Sequence, residues 1–188
     1  MITKHEVKFI KFIQKHWLLF AFFAISFLAL LARLLMINFQ SLDYTTFLEP
    51  WFYEMKNNGG LSSLANFPGD YNAPYMTIMA LLTYLPINPL YSIKAVSILF
   101  DFALAISCVL LVRETMKNSK NRNVVSLITY VAVLFLPSVL LNSGMWGQCD
   151  SIYATFIVLS FYFFTKKKYL PTFLLLGISF AFKFQTIF

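Results

Sequence analysis

Charge and cysteine are scarce in this chain. Only 12% of its 188 residues are Asp, Glu, Lys or Arg, against about 25% in an ordinary soluble domain. That deficit excludes a typical soluble enzyme. Two cysteines are too few for a disulfide scaffold, and no Cys/His grouping has the spacing of a metal site. Acidic residues number eight against fifteen basic ones. What fills the sequence instead is apolar: 59% of the residues, including 22 Phe. A core of this size cannot hide so much apolar surface, and disorder is excluded by the same figures. The composition leaves an all-α polytopic membrane protein.

Five apolar runs are candidate membrane helices, each judged against the roughly 20 residues a crossing needs. They are Trp17–Ile37, Tyr91–Val112, Val124–Leu141, Ile152–Phe164 and Tyr169–Phe188. The first is too long for a secretory signal and has no small-residue cleavage site, so it reads as an uncleaved helix. The fifth is still apolar at Phe188, without a polar anchor, so the chain is expected to continue beyond it. Residues 1–188 read as one transmembrane module, with residues 38–90 as a loop carrying interfacial helices. Within that loop Thr46–Lys56 reads as amphipathic helix, Pro68-Gly69-Asp70 as a turn, and Pro74–Leu85 as an interfacial or re-entrant helix too short to cross alone.

The basic residues set an orientation. Lys4, Lys8, Lys11 and Lys15, then Arg113, Lys117, Lys120 and Arg122, then Lys166, Lys167 and Lys168 fall on one side of a five-crossing chain. The loop 38–90 carries one basic residue, Lys56, against Asp43, Glu49, Glu54 and Asp70. The positive-inside rule then predicts a cytoplasmic N-terminus, an external loop and a plasma-membrane location. The net charge of +7 is explained by topology, with no case for nucleic-acid binding. Cys108 and Cys149 are expected on opposite sides of the membrane, and His5 and His16 in the cytoplasm.

Helical rise estimates depth. Arg33, Asp43, Lys94, Gln148, Asp150, Lys183 and Gln185 are expected at nearly one level toward the outside, with Asp101 alone near the midplane. Intramembrane charges are costly unless paired or hydrated, so this layer suggests a hydrated external site. Each residue also has a plainer reading. Arg33, Lys94 and Lys183 could snorkel, Asp43 could be a loop acid or helix cap, and Asp101 could serve an interhelical pair.

The densest polar cluster is Asn142-Ser143-Gly144-Met145-Trp146-Gly147-Gln148-Cys149-Asp150-Ser151-Ile152-Tyr153. Its glycines allow irregular backbone at a helix junction. Trp146 suits an interface or a sugar face, and Gln148 and Asp150 suit hydroxyl recognition. The plainer reading is a capped helix start with an aromatic anchor. The string SGMWGQCDSIY closely resembles the S-x-x-W-G-Q-x-D-S-x-Y signature of bacterial membrane glycosyltransferases of the GT-C superfamily, nearest to relatives of the GPI-anchor mannosyltransferase II. SLDYTTFLEPW, YNAPY, KAVSILFD and FKFQ match further pieces, in order, from about Arg33 onward.

The resemblance implies a mannosyltransferase-like enzyme that uses a polyprenyl-phosphate sugar on the extracytoplasmic side. It implies helices along the membrane in the first loop, and Asp43 there as catalytic base. Lys94, Lys183 and Arg33 would meet the donor phosphate. Trp146, Gln148 and Asp150 would hold the sugar or the acceptor, itself a glycan, lipid or protein. No cofactor and no metal site are expected. Family members are about twice this length, which again implies an N-terminal part. Two other classes remain open: a transporter or flippase, favoured by Asp101 in mid-membrane, and a non-catalytic assembly subunit.

Overall fold

The computed structural model describes residues 4–66 and 69–187, with side chains from residue 11 onward except at 187. The side chains of Lys4, His5 and Lys8, Pro68 of the expected turn, and Phe188 lie outside the described residues. All regular structure among those described is helical. Eight α-helices are α1 (Lys4–Leu34), α2 (Glu49–Asn57), α3 (Ala73–Leu82), α4 (Pro89–Thr115), α5 (Arg122–Phe135), α6 (Pro137–Leu141), α7 (Asp150–Thr165) and α8 (Tyr169–Phe182).

Two helices, α1 from Lys11 and α4, are long and apolar enough to cross a membrane. A third crossing exists if α5 and the segment 137–146 count as one span, bent by 48°. The bend has a local cause. Pro137 has no N–H to continue the ladder and forces Leu136 into extended geometry (φ −59°, ψ 124°). The expected continuous span Val124–Leu141 is therefore broken. Helices α7 and α8 are apolar but run 16 and 14 residues. At about 1.5 Å per residue they reach about 24 and 21 Å, short of the roughly 30 Å hydrocarbon layer. Helix α8 ends at Phe182 because Lys183 adopts extended backbone (φ −154°), and a short 3₁₀ turn (Phe184–Ile187) follows in the fifth apolar run.

The first apolar run is helical further upstream than expected, with a non-helical residue at His16. Much of its apolar surface faces outward: Phe23 is 61% and Phe27 65% exposed. An unpartnered apolar face of that size is what lipid or another protein surface covers.

The loop 38–90 folds into a cap. A π-helical turn (Tyr44–Leu48) leads into α2, and a 3₁₀ segment (Gly60–Asn66) precedes α3. The expected helices at 46–56 and 74–85 thus form, shifted by one to three residues at the ends. Tyr44, Leu48, Phe52, Met55, Tyr75, Met76 and Met79 pack with Leu90, Ile93 and Ile152 into one buried cluster. The cap thereby sits on the first turns of α4 and α7. Asn88 starts α4 by accepting the Leu90 N–H at 2.9 Å, with Pro89 at the first helical position, where its missing N–H costs nothing. A second buried cluster of Ala29, Ala105, Tyr130 and Leu134 joins α1, α4 and α5.

Candidate active site

Gln148 and Asp43 are far apart in sequence but adjacent in space. The Gln148 Nε2 donates to Asp43 Oδ2 at 2.8 Å. The Tyr71 hydroxyl donates to Gln148 Oε1 at 2.8 Å, which orients the amide. These residues line a cavity of about 240 Å³ together with Trp51 and Asp70. The Trp51 and Tyr71 rings meet edge to face at 5.9 Å. Tyr71 keeps its proton at any physiological pH. Burial, and then the neighbouring Cys149, Asp150 and Asp43, push its phenol well above the ordinary value. It therefore remains a donor to Gln148.

Asp70 and Tyr71 also border a second cavity, of about 500 Å³, lined on its far side by Phe182, Lys183 and Gln185. Lys183 forms an ion pair with Asp150. Asn142 donates to the other Asp150 oxygen at 3.2 Å. The pair is partly exposed, 24% for Lys183 and 38% for Asp150. Asp70 and Tyr71 thus stand between a pocket bearing Asp43 and one bearing Lys183.

Arg33 and Lys94 lie elsewhere, each engaged with its own set of partners inside the protein. Arg33 is fully buried. It pairs with Asp101 at 2.8 Å, and its Nε also lies 3.2 Å from the Ser143 hydroxyl. Its remaining donors reach the carbonyls of Ala29 at 2.9 Å and Leu134 at 3.0 Å. Leu134 is in the last turn of α5, where the proline bend leaves carbonyls without helical partners. Asp101 also accepts hydrogen bonds from Ser143 and Ser151. The carboxylate expected alone near the midplane is thus paired, and Arg33 does not snorkel.

Lys94 is also buried. Its ammonium donates to the carbonyls of Met36, Ile37, Phe39 and Gly144 at 2.6–3.1 Å. An ammonium has three N–H bonds, so four carbonyl acceptors occupy them all. Those carbonyls belong to the irregular turn after α1, where that of Met36 also accepts the Phe39 N–H at 3.0 Å, and to the turn of the WGQ motif. The donors of Arg33 and Lys94 are engaged inside the protein, unlike those of free phosphate ligands.

The motif itself is a π-helical turn (Asn142–Trp146) closed by Gly147 in the left-handed conformation, φ 65°. That φ suits glycine, and the Gln148 N–H then returns to the Asn142 carbonyl at 3.0 Å. Gly144 allows close approach as well: a Cβ there would lie 2.6 Å from the Met36 methyl. Trp146 is 40% exposed and stands outside both cavities.

The structure thus joins Asp43 with Gln148, and Asp150 with Lys183. Sequence reasoning missed Tyr71, Asp70, Trp51 and the serine ligands of Asp101. Tyr71 and Trp51 did lie inside the strings YNAPY and SLDYTTFLEPW, and Ser143 and Ser151 bracket the motif. Among the described residues, no group of three or more His, Cys, Asp or Glu is arranged to hold a metal. Comparisons of this chain with protein-family models, with curated proteins and with solved structures find no match.

Proposed function

We propose that this chain forms the site-bearing part of a GT-C-type membrane glycosyltransferase, which moves a sugar from a polyprenyl-phosphate donor to an acceptor hydroxyl. In this reading five segments traverse or enter the bilayer, the bent α5–α6 pair and the short α7 and α8 among them. The N-terminus is cytoplasmic and the cap is extracytoplasmic, on the plasma membrane. The acceptor hydroxyl enters the pocket of Asp43, Asp70 and Trp51. The donor phosphate lies beside Lys183, in the neighbouring cavity.

The observation that carries the reading is the Tyr71–Gln148–Asp43 chain of hydrogen bonds. It fixes one oxygen of a carboxylate and leaves Oδ1 of Asp43 without a hydrogen bond among the described residues. A carboxylate so held is suited to take the proton from an attacking hydroxyl. As the acceptor oxygen bonds to the anomeric carbon, the bond to the donor phosphate oxygen breaks. Charge then builds on that phosphate, which Lys183 stabilises. Arg33 and Lys94 act from behind, as positioning residues for the motif turn. Transport has less support, because Asp101, the residue that favoured it, is held by Arg33 and two serines.

The test is transfer from defined polyprenyl-phosphate sugars by the reconstituted protein. Asp43→Asn keeps the shape but cannot accept a proton. It is expected to insert normally, bind donor, and lose transfer by about 10²–10⁴-fold, the usual contribution of a positioned base. Unchanged transfer refutes the base assignment and leaves Asp43 a structural partner of Gln148.

A further inference from the structure

We infer that the groove between α1, α4 and α5, at the end of the bundle remote from the cap, is a binding site for one anionic phospholipid. The groove has a volume of about 520 Å³, within the roughly 300–1,000 Å³ of small-molecule pockets. Its walls are apolar, with Leu19, Phe22, Val109 and Leu127 along them, and polar groups enter at one end through Arg113 and Asn123. Lys94, by the cap, and Arg113 stand at opposite ends of α4, about 28 Å apart by helical rise. The groove is therefore separate from the Asp43 site.

Charge assigns the occupant. Arg113 donates to Asn123 at 3.0 Å and has no acidic partner within ion-pair distance among the described residues. The nearby carboxylate, Glu114, is engaged by Lys117 and Lys166 instead. Arg122, next to Asn123 though not lining the groove, has its Nε buried without a hydrogen-bond partner among the described residues.

A second apolar groove, of about 690 Å³, lies between α1 and α4 toward the cap. Its polar end is Asn38 and Tyr91, hydrogen-bonded to each other at 2.9 Å. That end is neutral and satisfied. Of these two grooves, the one at Arg113 pairs an apolar wall with a cation that has no acidic partner among the described residues, which is the pattern of an acyl chain below a phosphate. Basic pockets between membrane helices bind anionic headgroups in this way.

Native mass spectrometry of the detergent-solubilised chain tests the site with phosphatidylglycerol, phosphatidylcholine and inorganic phosphate as separate probes. The wild type is expected to retain one phosphatidylglycerol about tenfold more than phosphatidylcholine, the scale of one charge-assisted hydrogen bond, and no phosphate. Arg113→Gln should remove that preference and leave phosphatidylcholine retention unchanged. Arg113→Lys should keep most of the preference, and Leu19→Trp, which fills the groove from an exposed position, should weaken both lipids. Equal retention of the two lipids by the wild type overturns the site without any variant having to fold. Phosphatidylglycerol binding that survives Arg113→Gln overturns it too. Saturable binding of phosphate alone overturns the lipid assignment.

Discussion

Replacing Arg33 by Met removes the cation from the most buried polar node of the protein while keeping most of the side-chain volume. Both partners of the Arg33–Asp101 pair have fully buried side chains. Removing one member of such a pair leaves an uncompensated charge and costs about 3–5 kcal/mol, whereas replacing both by apolar groups is often nearly neutral. Ser143 and Ser151 would still hydrogen-bond the Asp101 carboxylate and soften the loss. The Leu134 carbonyl at the proline bend would lose its donor and deepen it. The expected loss for Arg33→Met is therefore about 3–5 kcal/mol. For Arg33→Met with Asp101→Leu it is smaller, about 1–3 kcal/mol, because the two serine hydroxyls and the two carbonyls remain to be satisfied. Reversible unfolding in mixed micelles, followed by helical circular dichroism, gives both values. A single-variant loss below about 1 kcal/mol, the range of an exposed ion pair, would refute the node. So would a double variant as unstable as the sum of its two parts.

Three further outcomes are expected. Ser62→Cys should react with an impermeant thiol reagent in intact cells, while Ser119→Cys should react only after permeabilisation; the reverse pattern sinks the proposed orientation. Lys94→Gln leaves several of its four carbonyls without a donor and should destabilise by about 3 kcal/mol or more in the same unfolding assay; wild-type stability would mean the clamp contributes little. Gly147→Ala should destabilise by about 1–2 kcal/mol from the left-handed backbone alone, and somewhat more because its Cβ meets Lys94 Cγ at 3.3 Å; a neutral effect in that titration would mean the turn relaxes to another geometry.

The helical class and the two long apolar helices were legible because apolar composition and run length are read directly from residues. The broken span was only half legible. Pro137 is visible in the sequence, yet whether a proline kinks a membrane helix or splits it depends on what receives the freed carbonyls. Here Arg33 receives one, from another helix. The site was legible as strings but not as pairs. SLDYTTFLEPW, YNAPY and SGMWGQCDSIY each supply a residue to the small cavity, and FKFQ supplies Lys183 to its neighbour. The partners of Arg33 and Lys94 were not legible for one physical reason. Helical rise gives height along the bundle and says nothing about the direction in which a long side chain points. Arg33 turns inward to Asp101, and Lys94 turns to carbonyls exposed by irregular backbone on two other segments.

That inward turn explains how an irregular loop can present a side chain accurately. Asp101 accepts from Ser143 and from Ser151, at the two ends of the motif segment. Lys94 holds the carbonyl of Gly144 within it, and Asn142 joins it to itself through the Gln148 N–H and through Asp150. Both anchors come from one helix, α4, where Lys94 and Asp101 are seven residues apart. That separation is close to two helical turns, so the two side chains leave α4 on nearly the same face. The result is a non-helical turn fixed along its length by a rigid helix, with Gln148 directed at Asp43. An accurate polar contact needs such support from behind, and it explains why two basic residues lie buried beneath a cavity they do not line. Their charge is used to hold backbone and one carboxylate in place, leaving Lys183 as the lysine at the cavities' edge.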